Sequence, residues 1–94
     1  MAVKQVAAFW NYLPAFVAVA ETEHLRLAAQ QLRVSPSSLS RMFGLLEHHL
    51  GYTVFTRTGR RMTLNAAGQR LRSVVRQSML LVDDAVSAPA VQDQ

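Results

Sequence analysis

The sequence LAAQQLRVSPSSLSR, residues 27–41, contains the sharpest structural break in the chain. Ser35 is a favoured N-cap residue, and Pro36 suits the first helical position, where its φ is preset and its missing N–H costs nothing. Before this break, four apolar residues recur at the spacing of one helical face: Leu25, Ala28, Ala29 and Leu32. Two closely approaching helices are therefore predicted, with Val34 buried in the turn between them. This pattern fits a helix-turn-helix and equally any other helical hairpin.

The flanking segments add a helix on one side and a hairpin and a helix on the other. We predict a first helix over about 13–23, a second over 25–33 and a third from Pro36 to about His49, which Gly51 ends. Residues 52–57 and 61–64 are predicted strands joined by a turn at 58–60, and Asn65 is placed to cap a last helix reaching about Ser87. The third helix is predicted to bury one stripe: Leu39, Phe43, Leu46 and Leu50.

The opposite face of the third helix carries short hydroxyls and one guanidinium. Ser37, Ser38, Ser40 and Arg41 lie in its first two turns, where a helix facing only solvent usually carries Glu and Lys. Serine hydroxyls contact phosphates or bases, and Arg41 is able to contact guanine in a bidentate manner. Gly44 weakens this helix by ~1 kcal/mol relative to alanine. We expect that it leaves room for a backbone passing close by.

Positive charge is concentrated after the break. Residues 35–72 hold six arginines and one acidic residue, a net charge of +5, whereas the whole chain has +4. Arg57, Arg60 and Arg61 lie in or beside the predicted hairpin turn. They are expected to contact phosphates or the minor groove of nucleic acid, the alternative being a solvated basic loop.

The last helix is apolar on more than one side. In so small a domain it has more apolar surface than its own core can cover, so it is predicted to pair two copies. The alternative is a helix wedged between two parts of one monomer. The predicted pairing residues are Leu71, Val74, Val75, Ser78, Leu81, Val82 and Ala85.

Over residues 10–87 the sequence resembles the N-terminal domain of the LysR-type transcriptional regulators. The shared residues are Phe16-Val17-Ala18-Val19-Ala20-Glu21, Ala28-Ala29-Gln30-Gln31-Leu32, Val34-Ser35, Leu39-Ser40-Arg41, Leu46-Glu47, Leu50-Gly51, Val54-Phe55-Thr56-Arg57, Arg60-Arg61, Leu64 and Ala67-Gly68. The resemblance implies a mainly α winged helix-turn-helix, with three helices and a two-stranded wing, followed by a long dimerisation helix. It also implies that the third helix enters the major groove of an operator.

Because of three departures from the family pattern, the base preference of the family does not carry over to this chain. Glu23-His24 replace the usual Gly-Ser before the second helix, and Ser35-Pro36-Ser37-Ser38 lacks the glutamine common in the family. Met42 and Phe43 stand where Gln-Ile is frequent. The family's large C-terminal effector-binding domain is not in these 94 residues, and we expect an excised domain of a longer protein rather than a natural truncation.

The sequence therefore predicts a DNA-binding domain over 1–65, a linker helix over 66–87 and a frayed tail over 88–94. The expected function is sequence-specific binding of double-stranded DNA by a homodimeric cytoplasmic bacterial regulator. The expected DNA-contacting residues are Ser35, Pro36, Ser37, Ser38, Ser40, Arg41, Arg57, Arg60 and Arg61. Two alternatives are a winged-helix protein-interaction module and a protein that binds RNA or a membrane surface through the basic hairpin.

Other classes of function have little support in the sequence. The chain has no cysteine, which excludes disulfides and thiolate metal sites. Adjacent His48 and His49 do not share a helix face, so no metal site is predicted. No nucleophile–base pair or phosphate-binding glycine loop is present, and neither an enzyme nor a cofactor is expected. A secretory signal at residues 6–20 is disfavoured by Asn11, Tyr12 and Pro14, and the segment is too short to span a membrane.

Overall fold

The computed structural model describes residues 6–88, which form four α-helices and one β-hairpin. In chain order the elements are a 3-10 turn at Trp10–Tyr12, then α1 Leu13–Thr22, α2 Leu25–Leu32, α3 Pro36–Leu50, β1 Phe55–Thr58, β2 Arg61–Leu64 and α4 Ala66–Ser87. The predicted mainly α architecture with a two-stranded wing is confirmed. Apart from Ala88, the predicted tail lies outside the described residues.

The predicted helix boundaries hold to within one residue because the capping residues act locally. The Ser35 side chain accepts a hydrogen bond from the Ser38 amide at 3.1 Å, with Pro36 at the first helical position. Gly51 ends α3 with a left-handed φ of 84°. The residues that end α1 and α2, Glu23 and Arg33, adopt left-handed φ angles of 56° and 58° without being glycines. His24 caps α2 through Nδ1, which accepts from the Leu27 amide at 3.4 Å, so a histidine replaces the missing serine cap.

The core lies where the three short helices and the hairpin meet. The predicted stripe of α3 is buried at Leu39, Phe43 and Leu46, and Leu50 is half-buried. Phe55 at the start of β1 lies between two aromatic rings, with centroid distances of 5.5 Å to Phe16 and 5.2 Å to Phe43. Ala28 and Ala29 are fully enclosed, which confirms the close approach of the helices. Val34 is half-buried against the core rather than buried.

The wing, residues 55–64, is shorter than predicted. β1 begins at Phe55 instead of Tyr52, and it pairs antiparallel with β2 from Phe55–Leu64 to Thr58–Arg61. The amides of Val54 and Phe55 donate to the Glu47 carboxylate of α3 at 2.7 and 3.4 Å. The side chain of Glu47 thus satisfies the Val54 amide, and the Val54 carbonyl accepts from the Asn65 amide at 3.1 Å, just beyond the last paired residue of β2.

The first half of α4 is fixed against the domain that precedes it. Asn65 caps the helix by accepting from the Gly68 amide at 2.8 Å, as predicted, and its side-chain amide donates to the Thr53 carbonyl at 2.9 Å. A Cβ atom on Gly68 would lie 2.1 Å from the Val54 carbonyl oxygen. Only glycine allows the helix to begin this close to the chain. Further along, Leu71 is half-buried and Val75 is buried in the core.

None of the helices within residues 6–88 combines the length and apolar character needed to cross a bilayer.

Candidate nucleic-acid interface

Because one stripe of α3 is buried in the core, the opposite face of the helix is exposed. Ser37, Ser38 and Arg41 are exposed, and Ser40 is half-buried. Arg41 makes no hydrogen bond or ion pair with any other described residue, so its guanidinium is available to a ligand. Gly44 is also exposed, and a Cβ there would meet nothing within 4 Å. The expectation of a close backbone at Gly44 is therefore wrong within the chain, and it stays a prediction only for a bound partner.

The serines at the start of α3 form one hydroxyl cluster. The Ser35 hydroxyl lies 2.9 Å from that of Ser38 and 3.2 Å from that of Ser37. Ser35 and Pro36 are exposed, yet their contacts within the chain serve to begin the helix. The hydroxyls of Ser37 and Ser38 lie at the helix N-terminus, where oriented amides favour anions.

The wing is joined to α3 through a polar contact. The guanidinium of Arg57 in β1 donates to the Ser40 hydroxyl at 3.2 Å. This contact brings together two residues that sequence reasoning placed on separate surfaces. The contact holds the arginine beside the exposed face of α3. Because the Ser40 hydroxyl is neutral, the contact leaves the positive charge of Arg57 uncompensated.

A basic cleft of about 370 Å³ lies between the start of α2 and the wing. Arg57 and Arg60 approach it from the wing, and Arg26 approaches it from the first turn of α2. The remaining lining residues are His24, Leu25, Pro36, Gly59 and Met62. Three arginines line this one concave surface, and their positive charge favours a polyanion such as a phosphate backbone.

Arg26 was missed in the sequence analysis. It is separated from the wing by about thirty residues, and only the three-dimensional fold places the first turn of α2 beside the wing. The available signal was an arginine in the first turn of a helix, where acidic residues are electrostatically favoured.

Arg61 differs from the other arginines of the wing. Its guanidinium forms an ion pair with the Glu23 carboxylate, at the turn between α1 and α2. Both side chains keep substantial exposure, 65% for Arg61 and 42% for Glu23. The three wing arginines were expected to be equivalent, yet the structure gives them three different environments.

The seven residues predicted to pair two copies are divided by the structure. Val75 is buried in the core of its own protomer, and Leu71 and Ser78 are half-buried. Val74, Leu81, Val82 and Ala85 are exposed. Leu80 and Val86, which were not among the seven, are also exposed apolar residues, at 62% and 74%. The outer half of α4, residues 79–87, thus carries apolar side chains that no other described residue covers.

An apolar groove of about 630 Å³ continues this surface toward the N-terminal segment. It lies between residues 6–14, the end of α3 and the middle of α4. Trp10 and Tyr52 line it, each about half exposed, together with Val74 and Met79 of α4. The exposed face of α4 and this groove form one extended apolar surface.

Three short helices, a tight turn before an exposed polar helix face, and a basic hairpin beside that face define a winged helix-turn-helix protein. A model of the bacterial regulatory helix-turn-helix proteins of the lysR family matches residues 10–69. The chain belongs to this family.

Known regulators are similar to this chain over most of its length. The transcriptional regulator PtxR of Pseudomonas aeruginosa is 44% identical over 77 residues, which cover 82% of this chain and 25% of PtxR. The transcriptional activator IlvY of Salmonella typhimurium is 41% identical over 68 residues, covering 72% of this chain and 23% of IlvY. The chain therefore spans roughly a quarter of the length of these relatives.

Two solved structures of isolated DNA-binding domains (DBDs) have the same fold. The CbnR DBD in complex with DNA superposes with a TM-score of 0.75 at 31% identity, covering 82% of this chain and 88% of that one. The BenM DBD with benA site 1 DNA gives a TM-score of 0.77 at 30% identity, covering 82% and 86%.

Proposed function

We propose that this chain is the DNA-reading part of a LysR-type transcriptional regulator, which binds a specific double-stranded operator as a homodimer. One observation carries the proposal: Arg41, which has no polar contact with another described residue, follows Ser40 on α3, and Ser40 accepts a hydrogen bond from Arg57 of the basic cleft. Support comes from the CbnR and BenM domains, which have the same fold and were solved with DNA.

In this proposal α3 enters the major groove. Arg41 reads a base, with guanine as the favoured partner because its O6 and N7 accept both donors of a guanidinium. The hydroxyls of Ser37 and Ser38 approach bases or the flanking phosphates, and Ser40 helps by holding Arg57. Ser35 and Pro36 contribute by fixing where the helix begins.

The basic cleft is assigned to the sugar–phosphate backbone. Arg57 and Arg60 supply the wing contacts, and Arg26 adds a third from α2. Contacts of this kind set the register of the protein on the duplex without reading its sequence.

Two copies pair through the exposed half of α4. Pairing covers Leu81, Val82 and their apolar neighbours, which have no partner within residues 6–88. The two α3 helices then meet major-groove segments ~34–36 Å apart, one turn of the duplex, or a multiple of that spacing. A two-fold symmetric dimer matches a pseudo-palindromic operator.

We further infer that the chain acts by binding and not by catalysis, in the bacterial cytoplasm, within a longer protein that carries an effector-binding domain. The relatives are named as regulators, and the chain spans only about a quarter of their length.

The proposal is tested by two arginine variants with a charge-matched control. The bound sequence is first selected from random duplex DNA with the 94-residue chain. Arg41→Ala is expected to weaken binding to that sequence by about 5- to 150-fold more than binding to random duplex, the equivalent of ~1–3 kcal/mol for one bidentate base contact. Arg60→Ala is expected to weaken both equally and to flatten the salt dependence by about one unit. Arg76→Ala, an exposed position on α4, controls for the loss of one positive charge.

Equal losses for both duplexes in Arg41→Ala would remove that residue from base readout. An unchanged salt slope in Arg60→Ala would remove the wing from the phosphates. The absence of any duplex binding at micromolar concentration and low salt would favour a protein-interaction module instead.

A further inference from the structure

The turn between α1 and α2 is attached to the second strand of the wing through Glu23. The Glu23 carbonyl accepts a hydrogen bond from the Met62 amide at 3.0 Å, and its carboxylate pairs with the Arg61 guanidinium. The next residue, His24, forms an isolated antiparallel bridge with Arg61. The turn therefore lies along β2 as a one-residue extension of the sheet.

The backbone at this turn does not explain why the residue is a glutamate. Glu23 ends α1 in the left-handed region, with φ 56° and ψ 23°, where glycine is favoured because it has no Cβ. A glutamate is at a conformational disadvantage in this position. What its side chain provides is the contact with Arg61.

That contact makes Arg61 the electrostatic exception in the wing. Arg57 donates to the neutral hydroxyl of Ser40, and Arg60 has no acidic partner within residues 6–88. Arg61 alone among the three lies against a carboxylate. The wing therefore presents two uncompensated positive charges to an approaching polyanion, although its sequence contains three.

We propose that Glu23 masks Arg61 and thereby limits the sequence-independent affinity of this chain for DNA. The inference rests on the proposed function, since it concerns the same wing. Because the pair is exposed, it holds Arg61 by proximity and charge and not by burial. Removal of the carboxylate charge frees Arg61 to contact a phosphate of the duplex. Each such contact releases counterions from the DNA, so the salt dependence of binding becomes steeper.

The first test compares Glu23→Gln with Glu21→Gln. Both variants raise the net charge by one, and Glu21 is exposed on α1 without an ion pair or side-chain hydrogen bond among the described residues. Glu23→Gln is expected to tighten binding to selected and random duplexes alike by about two- to fivefold and to steepen the salt slope by about one unit. Glu21→Gln is expected to leave the slope unchanged. Equal slopes in the two variants would overturn the proposal.

The second test establishes that Arg61 carries the effect. Arg61→Ala alone is expected to leave the salt slope nearly unchanged, because the residue is masked in the parent chain. In Glu23→Gln/Arg61→Ala the gain of Glu23→Gln should disappear. A slope that flattens by one unit in Arg61→Ala alone, as expected for Arg60→Ala, would show that Arg61 already contacts phosphate and would overturn the masking.

Elution from a heparin column measures the same masking without duplex recognition. Glu23→Gln is expected to elute at higher salt than Glu21→Gln, and the double variant should lose this difference. Co-elution of the two single variants would overturn the proposal. If the parent chain bound no duplex but the difference on heparin persisted, the DNA-reading function would fail while the masking of Arg61 stood.

Discussion

The two halves of α4 differ in a way that composition alone does not predict: the half with fewer apolar residues contains the buried side chains, and the half with more of them is exposed. In residues 66–78, five of thirteen side chains are apolar, whereas in residues 79–87 six of nine are apolar. The less apolar half nevertheless holds the buried Val75, while Leu80, Leu81 and Val86 in the more apolar half are 62–74% exposed. The helix is therefore longer than the core that supports it, and the apolar side chains of its outer half stay largely exposed in the described chain.

The difference arises from where the rest of the domain lies. The Asn65 cap, the contact of Gly68 with the Val54 carbonyl and the burial of Val75 all attach the first half to the wing and the helices before it. The second half extends past the last of these contacts. An isolated helical segment of that length is marginal in water, so its continuation depends on the anchored half and on any partner that covers it.

The largest expected effect that tests this comparison comes from Gly68→Ala. A Cβ 2.1 Å from the Val54 carbonyl oxygen forces α4 away from the domain, and we expect a loss of about 3 kcal/mol in the free energy of unfolding. Gly44→Ala is the matched control, because it adds the same methyl to an exposed helical position with nothing within 4 Å. It should instead stabilise the chain by about 1 kcal/mol. Both free energies are measured by urea unfolding monitored with circular dichroism. A Gly68→Ala variant as stable as Gly44→Ala would contradict the close packing of α4 against Val54.

A smaller effect separates the halves by side-chain burial. Val75→Ala removes methyl groups from the core and is expected to lower the free energy of unfolding by about 2 kcal/mol at any protein concentration. Val82→Ala removes the same atoms from a side chain that is 54% exposed. Its effect should be below about 0.5 kcal/mol in dilute protein and should grow with concentration if pairing covers the residue. Equal, concentration-independent losses would mean that the outer half folds onto its own protomer.

The smallest expected effect concerns the pairing surface itself. Leu81→Asp places a charge on the most exposed face of the outer half and should raise the dimer dissociation constant at least about tenfold, because a charge in an apolar interface is desolvated without a partner. Ser73→Asp adds the same charge at an exposed position of the anchored half and serves as the control. Sedimentation equilibrium measures the constant. A dimer that tolerates Leu81→Asp as well as Ser73→Asp must be held elsewhere.

The features that the sequence predicted correctly depend on neighbouring residues. The caps at Ser35 and Asn65 and the left-handed Gly51 act within one turn of their own helices, so their residue types are sufficient to locate the helix ends. The buried stripe of α3 follows in the same way from helical periodicity.

The features that the sequence did not predict depend on distant parts of the chain. The Glu47 carboxylate of α3 accepts from the amides at the start of β1, and the basic cleft requires Arg26 to lie beside the wing. The two internal glycines are an instructive pair: Gly44 was expected to serve a close approach, while the close approach is at Gly68. Composition and spacing do not distinguish such positions, because the neighbour that matters comes from another element.

The hydrogen bonds at the base of the wing have a mechanical consequence. Glu47 of α3 holds the start of β1, and the Glu23 carbonyl holds β2 at Met62, so the hairpin is tied to two different helices. These hydrogen bonds restrain the base of the wing relative to the exposed face of α3. In the proposed complex, a duplex whose grooves do not match this spacing would have to adjust its own groove width and bending. Steps flanking the read bases would then be selected by their stiffness, at positions that no side chain touches.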